Sequence, residues 1–403
     1  MKMNSKPHRR TFSARTAWDI SKTELAKSIE ERRERGLPLL DLTASNPTHC
    51  GFTYDEPAIL AALSNREALI YDPDPRGMLR ARKAVAAYYA DHGAVVDPAN
   101  LLLTTSTSEA YSYLFRLLCD PGDEVLIAQP SYPLFDFLAQ LESVRLVPYP
   151  LFYDHGWRVD SGSLRRQITA STRAIALVHP NNPTGHFTKD AEREELESLC
   201  AEHGLALIVD EVFLDYGIAG HTGRSFACGP HPVLTFVLSG LSKIAALPQM
   251  KAAWIAAFGP EPDLSTALDR LEVIADTFLS MNAPIQWALP EWLTRRETVQ
   301  SQISHRVESN LHSLDLLLAS QSMISRLEVE AGWYVLLRIP ALMPGEELAV
   351  RLLREHGLSV HPGYFFGFSG DGWLVLSLLT PEDDFRSGIE VLSHFFSEID
   401  AEP

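Results

Sequence analysis

Cysteine is scarce in this chain, and the few that occur are far apart. The four cysteines among 403 residues form no CxxC or CxH pair; they are Cys50, Cys119, Cys200 and Cys228. Zinc sites and disulfide frameworks need cysteines that are more closely spaced or more numerous. We therefore expect no metal site and free thiols in a reducing compartment, which indicates a cytoplasmic location.

Long apolar runs and an excess of positive charge are also missing. No apolar run approaches the roughly 20 residues that a membrane helix needs, and we find no internal repeat. Residues 1–18 are basic but lack an apolar centre, so we interpret them as a short disordered arm and not a secretory signal. The formal net charge of -17 makes nucleic acid and anionic membranes unsuitable partners.

The chain does contain a regular alternation of apolar runs and helical patterns. Hydrophobic residues make up 46% and charged residues 22%, which is ordinary for a globular protein. Seven nearly continuous apolar runs predict an α/β fold with strands buried on both faces of a mainly parallel sheet. These runs span residues 101–104, 125–128, 144–149, 174–179, 205–210, 233–238 and 252–258.

The last third of the chain has a different pattern. Long helical stretches lead to apolar runs at 334–339 and 373–379, which is typical of a small α+β domain. With 403 residues, two domains are expected. We predict an N-terminal arm and part of the small domain at 1–50, a large domain at 51–290 and the rest of the small domain at 291–403.

A lysine stands directly after one of the predicted strands. Lys243 follows the apolar run and Ser239-Gly240-Leu241-Ser242, in a loop that also carries Lys251. Burying an ammonium is costly, whereas a desolvated lysine amine is the nucleophile of Schiff-base chemistry. Our hypothesis is that Lys243 holds pyridoxal phosphate as an internal aldimine. The alternative is a solvated lysine in a surface loop.

Three other predicted strands also end in polar residues, and in open α/β sheets such ends meet at a ligand site. Thr105, Ser106 and Thr107 begin a helix whose N-terminus suits a phosphate, or they are a plain helix cap. Asp210 ends a buried strand, where it suits a protonated pyridine nitrogen or a salt bridge. Asn182 lies in a turn, from which its amide could bond a ring oxygen; ordinary turn composition is the alternative.

Taken together, these residues resemble the class I/II aminotransferases of pyridoxal-phosphate fold type I. The resemblance covers nearly the whole chain. Its most specific parts are HPNNPTG at 179–185, VDEVF at 209–213, and SGLSK at 239–243 followed by the cation Lys251.

The resemblance implies a role for each of these residues. Lys243 would form the Schiff base and move the proton, Asp210 would pair with the pyridine nitrogen, and Asn182 would bond the phenolic oxygen. Tyr132 would stack on the ring. Thr105, Ser106 and Thr107 would hold the phosphate with Lys251. Tyr71 would reach the phosphate of the neighbouring subunit, which implies a homodimer with shared active sites.

The chain departs from the family pattern where the substrate would bind. Val375 occupies the place of an arginine that forks onto the substrate carboxylate, a contact that valine cannot make. Either Arg15 or Arg338 substitutes for it, or the substrate lacks a carboxylate there. For each arginine the alternative is an ordinary surface position.

Five further positions differ from the family pattern, and one of them is Gly240, which replaces a hydroxyl residue three positions before Lys243. Phe213 stands where tyrosine is common, so we expect a raised pKa of the cofactor's Schiff base. Lys251 replaces the arginine of the phosphate site, Ser106 replaces a glycine of the phosphate loop, and Ser45 replaces a glycine near the substrate.

The leading function is transamination between an amino donor, expected to be an amino acid, and a keto acid or ketone. A lyase acting by β-elimination or carbon–carbon cleavage on the same scaffold is one alternative. A cofactor-binding sensor with degraded catalysis is the other. A donor without an acceptor would convert the cofactor to its pyridoxamine form only in a transaminase, whereas a sensor would react with no amine.

Overall fold

The computed structural model describes residues 11–133, 135–279 and 281–401. The first ten residues of the predicted N-terminal arm therefore lie outside the described residues. The strands, in chain order, are β1 (Leu40–Asp41), β2 (Leu101–Thr104), β3 (Glu124–Gln129), β4 (Arg145–Tyr153), β5 (Trp157–Val159), β6 (Thr172–Val178), β7 (Ala206–Asp210), β8 (Thr235–Gly240), β9 (Ala253–Phe258), β10 (Ser325–Arg326), β11 (Tyr334–Arg338), β12 (Leu358–Ser359), β13 (His361–Pro362) and β14 (Trp373–Ser377).

The helices follow the same chain order. They are α1 (Glu24–Glu34), α2 (Glu56–Ala61), α3 (Leu79–Asp91), α4 (Thr107–Leu118), α5 (Phe135–Leu141), α6 (Ser161–Gln167), α7 (Asp190–His203), α8 (Leu241–Ile244), α9 (Asp263–Phe278), α10 (Ala283–Thr294), α11 (Arg296–Leu318), α12 (Gly345–Arg351) and α13 (Glu382–Ala401). Among the described residues, no helix is long and apolar enough to cross a membrane.

The large sheet has the strand order β2-β9-β8-β7-β6-β3-β4-β5. Six of its strands run in one direction, while β9 and β5 run antiparallel to their neighbours. This confirms the predicted α/β class, but within the described residues the sheet has eight strands and not seven. The additional strand, β5, pairs with the far end of β4 and was missed because three residues carry too little pattern.

The sheet is covered on both faces because its strands are apolar on both faces. In β7, Leu207 and Val209 belong to one hydrophobic cluster, whereas Ala206 and Ile208 belong to another. The first cluster includes buried residues of α3, α7 and α10, and the second includes residues of α4, α5 and α9. Helices therefore lie on each side of the sheet, as a mainly parallel sheet requires.

A second sheet has the order β10-β11-β14-β13 and lies beside the short parallel pair β1-β12. Leu25 of α1 and Leu42 share one hydrophobic cluster with Leu311 of α11 and Leu392 of α13. The main chain of Leu42 also bonds to both Ser359 and Ser377, at 3.0 and 2.7 Å. The N-terminal segment thus packs with the last third of the chain.

Helix ends follow local capping chemistry. The spacing of apolar residues over 17–36 predicts a helix there, but the helix begins only at Glu24, because the Thr23 hydroxyl accepts a hydrogen bond from the Ala26 N–H and caps it. The sequence from Tyr132 to Leu141 also predicts a helix, which begins at Phe135. Gly204 follows the helical pattern of residues 188–203 and predicts a C-cap; its φ of 65° at the end of α7 confirms this.

One close backbone contact joins the loop after β6 to the segment before β11. Gly185 has a φ of +71°, and a Cβ added there would overlap the carbonyl oxygen of Ala331. The Gly217 and Ala331 main chains also form an isolated antiparallel bridge. The glycine in HPNNPTG therefore allows the two parts of the chain to meet.

We expect Gly185→Ala to destabilise the protein more than Gly204→Ala. Both residues have a left-handed φ, which costs an alanine roughly 1–2 kcal/mol. Only Gly185 also meets a main-chain atom, and overpacking adds roughly 1–3 kcal/mol, whereas Gly204 has open space. Thermal melting of the two variants at equal cofactor loading measures the difference; equal melting temperatures would contradict the contact.

Candidate functional site

Four polar strand ends meet at one edge of the large sheet. Strands β2, β6, β7 and β8 run in one direction, so their carboxyl ends lie on the same side. In register, Thr104 pairs with Ala253, which also pairs with Gly240. On the other side of β8, Val178 pairs with Asp210, which pairs with Leu238. The predicted convergence of these loops is therefore present.

Lys243 lies on the short helix α8, directly after β8. Gly240 begins this turn, and a Cβ there would come within 2.8 Å of the Ala252 carbonyl oxygen. The Lys243 Nζ lies 4.8 Å from the ring centroid of Trp333 and 5.4 Å from that of Phe213. Burial lowers the pKa of Lys243 to about 8, although the Asp210 charge opposes the shift. The amine is thus more available as a nucleophile than an ordinary lysine.

Asp210 is a buried carboxylate without a direct cationic partner among the described residues. Its side chain is 6% exposed and accepts a hydrogen bond from the Val212 N–H at 3.1 Å. Burial raises the pKa of Asp210 to about 7, while the Val212 N–H, Lys243 and the nearby Tyr111 hydroxyl act in the opposite direction. A cation bound beside it would restore its charge.

The side chain of Asn182 has a buried amide oxygen that accepts no hydrogen bond within the described residues. The neighbouring Asn181 builds the turn, because its Oδ1 accepts a hydrogen bond from the Thr184 hydroxyl at 2.9 Å. In the described part of the chain, the Oδ1 of Asn182 is buried and has no hydrogen-bond partner. Such a group is costly unless a ligand bonds to it.

The predicted phosphate loop contains a carboxylate that the sequence reasoning missed. Ser106 caps α4 by accepting a hydrogen bond from the Glu109 N–H at 3.1 Å. The Glu109 carboxylate accepts hydrogen bonds from both the N–H and the hydroxyl of Thr105, at 2.6 and 3.0 Å. Thr105 therefore donates to a side chain of the helix that follows it. The S-x-x-E spacing of a capping box was the available signal.

Thr107 and Lys251 are the less engaged members of this loop region. Thr107 is the first residue of α4 and has no side-chain hydrogen bond within the described residues. Lys251 is exposed, has a φ of 51°, and has no ion pair in that part of the chain. It precedes β9, whose first residue, Ala253, pairs with Thr104. The cation and the N-terminus of α4 thus lie at the same edge of the sheet.

The two predicted cofactor-binding tyrosines are accessible. Tyr132 is 42% exposed, and its ring stands perpendicular to that of Phe135 at 6.3 Å. Burial and the charge of Asp210 both raise the pKa of Tyr132, which places it within electrostatic reach of that carboxylate. Tyr71 is 82% exposed and makes no side-chain bond within the described residues.

The predicted substrate residues lie in different surroundings. Val375 is fully buried and pairs with Leu336 on one side and His361 on the other. Arg338 lies on the same face of that sheet, two residues from Leu336, with its guanidinium 4.5 Å from the Trp373 ring centroid. Arg15 is exposed and donates to the Leu141 carbonyl at 3.0 Å.

Ser45 does lie beside a residue of this sheet. Burial raises the pKa of Tyr334 to about 12, and a hydrogen bond with Ser45 opposes the shift. Tyr334 is the first residue of β11 and directly follows Trp333. The structure therefore places Ser45 near the end of β11 that is closest to Lys243, and brings Arg338 to the far end.

Comparison with known proteins identifies the family. The family model described as aminotransferase class I and II matches residues 39–392. The chain belongs to this family. It is 28% identical to the aspartate/prephenate aminotransferase of Thermus thermophilus over 369 residues, which cover 91% of this chain and 92% of that protein. It is 29% identical to the arginine–pyruvate transaminase of Pseudomonas aeruginosa over 383 residues, 92% of each chain.

A solved structure confirms the fold of this aminotransferase. The alanine aminotransferase of Pyrococcus furiosus matches with a TM-score of 0.88 and 24% identity, covering 96% of this chain and 100% of that one. Members of the class use pyridoxal phosphate, so the predicted fold type, enzyme class and cofactor are confirmed. The residues fit that cofactor, because the edge of the sheet presents a lysine amine, an unpaired carboxylate and an unsatisfied amide.

Sequence reasoning also missed a charged cluster that joins the HPNNPTG loop to the segment before β11. Glu330 forms ion pairs with Lys189 and with His186, the latter at 3.7 Å, and its Oε2 accepts a hydrogen bond from the Phe187 N–H at 2.9 Å. His186 also lies 3.0 Å from Glu192. These residues are separated by about 140 positions, so no local pattern could reveal the cluster.

The cluster shifts the pKa of its members in opposite directions. Burial acts to raise the pKa of Glu330, but His186, Lys189 and the Phe187 N–H outweigh it and hold that pKa at about 2. Burial acts to lower the pKa of His186, but Glu192 and Glu330 outweigh it and raise that pKa above its usual value. The cluster therefore favours the charged forms of its members, an imidazolium at His186 and carboxylates at Glu192 and Glu330.

We expect the stability lost in Glu330→Gln to depend on pH. The folded pKa of Glu330 lies below its ordinary 4.5, so its contribution is present above pH 4.5 and falls away toward pH 2. His186 has a raised pKa, so its contribution is full below its ordinary 6.5 and falls as pH rises through the folded pKa. The stability lost in Glu330→Gln should therefore be largest between pH 4.5 and pH 6.5, where it should reach at most roughly 3 kcal/mol.

Urea unfolding of the protein from pH 4 to pH 9 measures this dependence. The exposed residue Glu328 provides the matched control, because Glu328→Gln removes the same charge two residues away. A loss of stability that is equal at all pH values, or equal in the two variants, would contradict the role of the cluster.

Proposed function

We propose that Lys243 carries the cofactor and moves the proton in transamination, with Asp210 and Asn182 orienting the cofactor ring. The observation that supports this most is the meeting of three unusual groups at one edge of the sheet. They are an amine with a lowered pKa, a buried carboxylate with a raised pKa, and an amide oxygen without a partner. Asp210 would pair with the pyridine nitrogen, and Asn182 would bond the ring oxygen.

The N-terminus of α4 is our proposed phosphate site. Thr107 and the backbone N–H groups of Ser106 and Thr107 supply donors, and Lys251 supplies the positive charge. Thr105 joins this set only if its bonds to Glu109 are exchanged for bonds to phosphate. Tyr132, which is accessible and close enough to sense the charge of Asp210, is the proposed stacking residue.

We propose a homodimer in which Tyr71 reaches the phosphate of the partner's site. An exposed apolar segment supports this, since Leu69, Ile70 and Tyr71 are 89%, 59% and 82% exposed. Three adjacent exposed side chains of this size are unusual on a surface that faces only water. A cytoplasmic location is also proposed, and it is supported by the four free cysteines.

Two domains are proposed with the boundaries given above, 1–50 with 291–403 and 51–290. The shared hydrophobic cluster of the N-terminal segment and the last third of the chain supports this division.

Neither a lyase nor a degraded sensor is favoured by any observation on the structure. The proposed place of the enzyme is therefore in amino acid metabolism.

The proposed substrates are an amino acid donor and a keto acid acceptor. The names of the two relatives each refer to amino acid or keto acid substrates. Because Val375 cannot bind a carboxylate, we propose that another cation does so, with Arg338 as the first candidate. Arg338 shares a face of the small sheet with Val375, although it stands at the end of β11 that is farther from Lys243, whereas Arg15 lies against the end of α5.

Lys243→Ala should abolish conversion of the bound cofactor by an amino donor in a single turnover. The amine that binds the cofactor and moves the proton is then absent, so we expect a loss of rate of at least about 100-fold. Absorbance of the cofactor after mixing with a panel of amino acids measures this. The exposed Lys83 provides the control, and full activity of Lys243→Ala would overturn the assignment.

Arg338→Ala should raise the KM for carboxylate-bearing donors by about tenfold, with little change in kcat. A guanidinium that binds the substrate carboxylate in both ground and transition states contributes uniform binding. Arg15→Ala is the matched control and should leave both parameters unchanged. An unchanged KM in Arg338→Ala would contradict this role of Arg338, and a raised KM in Arg15→Ala alone would assign the carboxylate to Arg15.

A further inference from the structure

The ring of Trp333 lies over the amine of Lys243. The distance from Nζ to the ring centroid is 4.8 Å, within the range of a cation–π contact, and Trp333 is fully buried. Phe213 is the second aromatic neighbour, at 5.4 Å. Among the described residues, Nζ has no carboxylate within ion-pair distance, and Asp210 acts on it only through its field. The aromatic faces are therefore its direct neighbours.

Other aromatic rings fix the orientation of Trp333. Phe213 meets it edge to face, with centroids 5.2 Å apart and planes at 82°, and Tyr216 does the same at 5.0 Å and 73°. The Trp333 carbonyl accepts a hydrogen bond from the Leu378 N–H at 2.7 Å. Tyr216 also donates to the carbonyl of Lys243 at 2.6 Å. Lysine and tryptophan are thus held by a common neighbour.

The segment before Trp333 is attached to two loops of the large sheet. The Gly332 N–H donates to the Tyr216 carbonyl, and the Ile218 N–H donates to the Glu330 carbonyl, both at 2.8 Å. The Glu330 side chain is bound by Lys189, His186 and the Phe187 N–H. Glu330 stands three residues before Trp333. It therefore anchors the segment that leads to Trp333 to the loop that carries Asn182.

We propose that Trp333 is a catalytic residue that binds the ammonium form of Lys243 through its ring, and that Glu330 is a positioning residue that holds Trp333 there. This rests on the proposed role of Lys243. As the group proposed to move the proton, Lys243 would carry that proton for part of the cycle in a half-buried site, where the ammonium is poorly hydrated. The negative face of the indole stabilises that form. The groups that face Lys243 are then Asp210, Trp333 and Phe213.

A purely structural role of Trp333 predicts a different outcome. Replacing the residue would then lower the melting temperature but leave the protonation of Lys243 unchanged. A ring that binds the ammonium keeps the pKa of Lys243 higher than burial alone would allow, so removing the ring should lower that pKa further. Glu330 is not among the charges that act on Lys243. Any effect of Glu330→Gln on the lysine must therefore be transmitted through position.

The test measures the reactivity of Lys243 in protein freed of cofactor. Folded protein is treated with 2,4,6-trinitrobenzenesulfonate from pH 6 to pH 11, and the modified Lys243 peptide is quantified by mass spectrometry. We expect the pH at which modification of Lys243 is half-maximal, the midpoint, to fall by about one unit in Trp333→Leu. The midpoint should fall by a smaller amount in Trp333→Phe and by a detectable amount in Glu330→Gln. Glu328→Gln should leave the midpoint unchanged.

An unchanged or raised midpoint in Trp333→Leu would overturn the role of Trp333. If Trp333→Leu does not fold, as judged by circular dichroism, Trp333→Phe decides in the same way, because benzene binds a cation less strongly than indole. If the midpoint falls in Trp333→Leu but is unchanged in Glu330→Gln, only the role of Glu330 is overturned. The outcome is separate from the proposed function, since Lys243→Ala could abolish turnover whatever Trp333 does.

Discussion

The dominant constraint on the site is that ionisable groups at the ends of buried strands lose hydration, which raises the free energy of their charged forms. Lys243 and Asp210 interact through their fields without forming a contact ion pair, and each is shifted toward its neutral form by burial. Such a pair is poorly satisfied by the protein alone. A planar cofactor with a protonated nitrogen and a carbonyl carbon would satisfy both groups, which is consistent with the roles proposed for Asp210 and Lys243.

The small sheet is positioned by contacts that lie outside the usual sequence motifs. Glu330, the Gly217–Ala331 bridge and the close approach at Gly185 join the segment before β11 to the loops after β6 and β7. Because interfaces of this kind are packed and directional, they fix where Trp333 and Tyr334 stand relative to Lys243. The first residues of β11 are thus positioned by contacts with the loops after β6 and β7.

Much of the fold could be predicted because it rests on local pattern. Buried strands such as β2 and β7 are continuous apolar runs, and Gly204 marks the end of α7 through its conformational freedom. Asp210, Asn182 and Lys243 could be predicted as candidate site residues because polar residues follow such runs. Strand β5 is too short for periodicity to show, and α1 begins late because Thr23 caps it.

The residues that escaped prediction are those whose meaning arises only from distant neighbours. Trp333 reads as a core aromatic until its ring is seen beside an amine that is 90 positions away. Glu330 is one acid among many until Lys189 and His186 are placed around it. Glu109 is the exception, since its capping spacing is local; it was overlooked because the hydroxyls beside it were assigned to phosphate.

Strand β9 has a consequence for how the site can vary. It is antiparallel to both neighbours, and its first residue, Ala253, pairs with Thr104 on one side and Gly240 on the other. The loop at the N-terminus of α4 and the loop that carries Lys243 are therefore spaced by one shared strand. Strand pairing moves only in whole residues, each about 3.3 Å, and an odd step turns every side chain over. A change of register in β9 would therefore change the distance between the proposed phosphate site and the Lys243 amine in steps of whole residues.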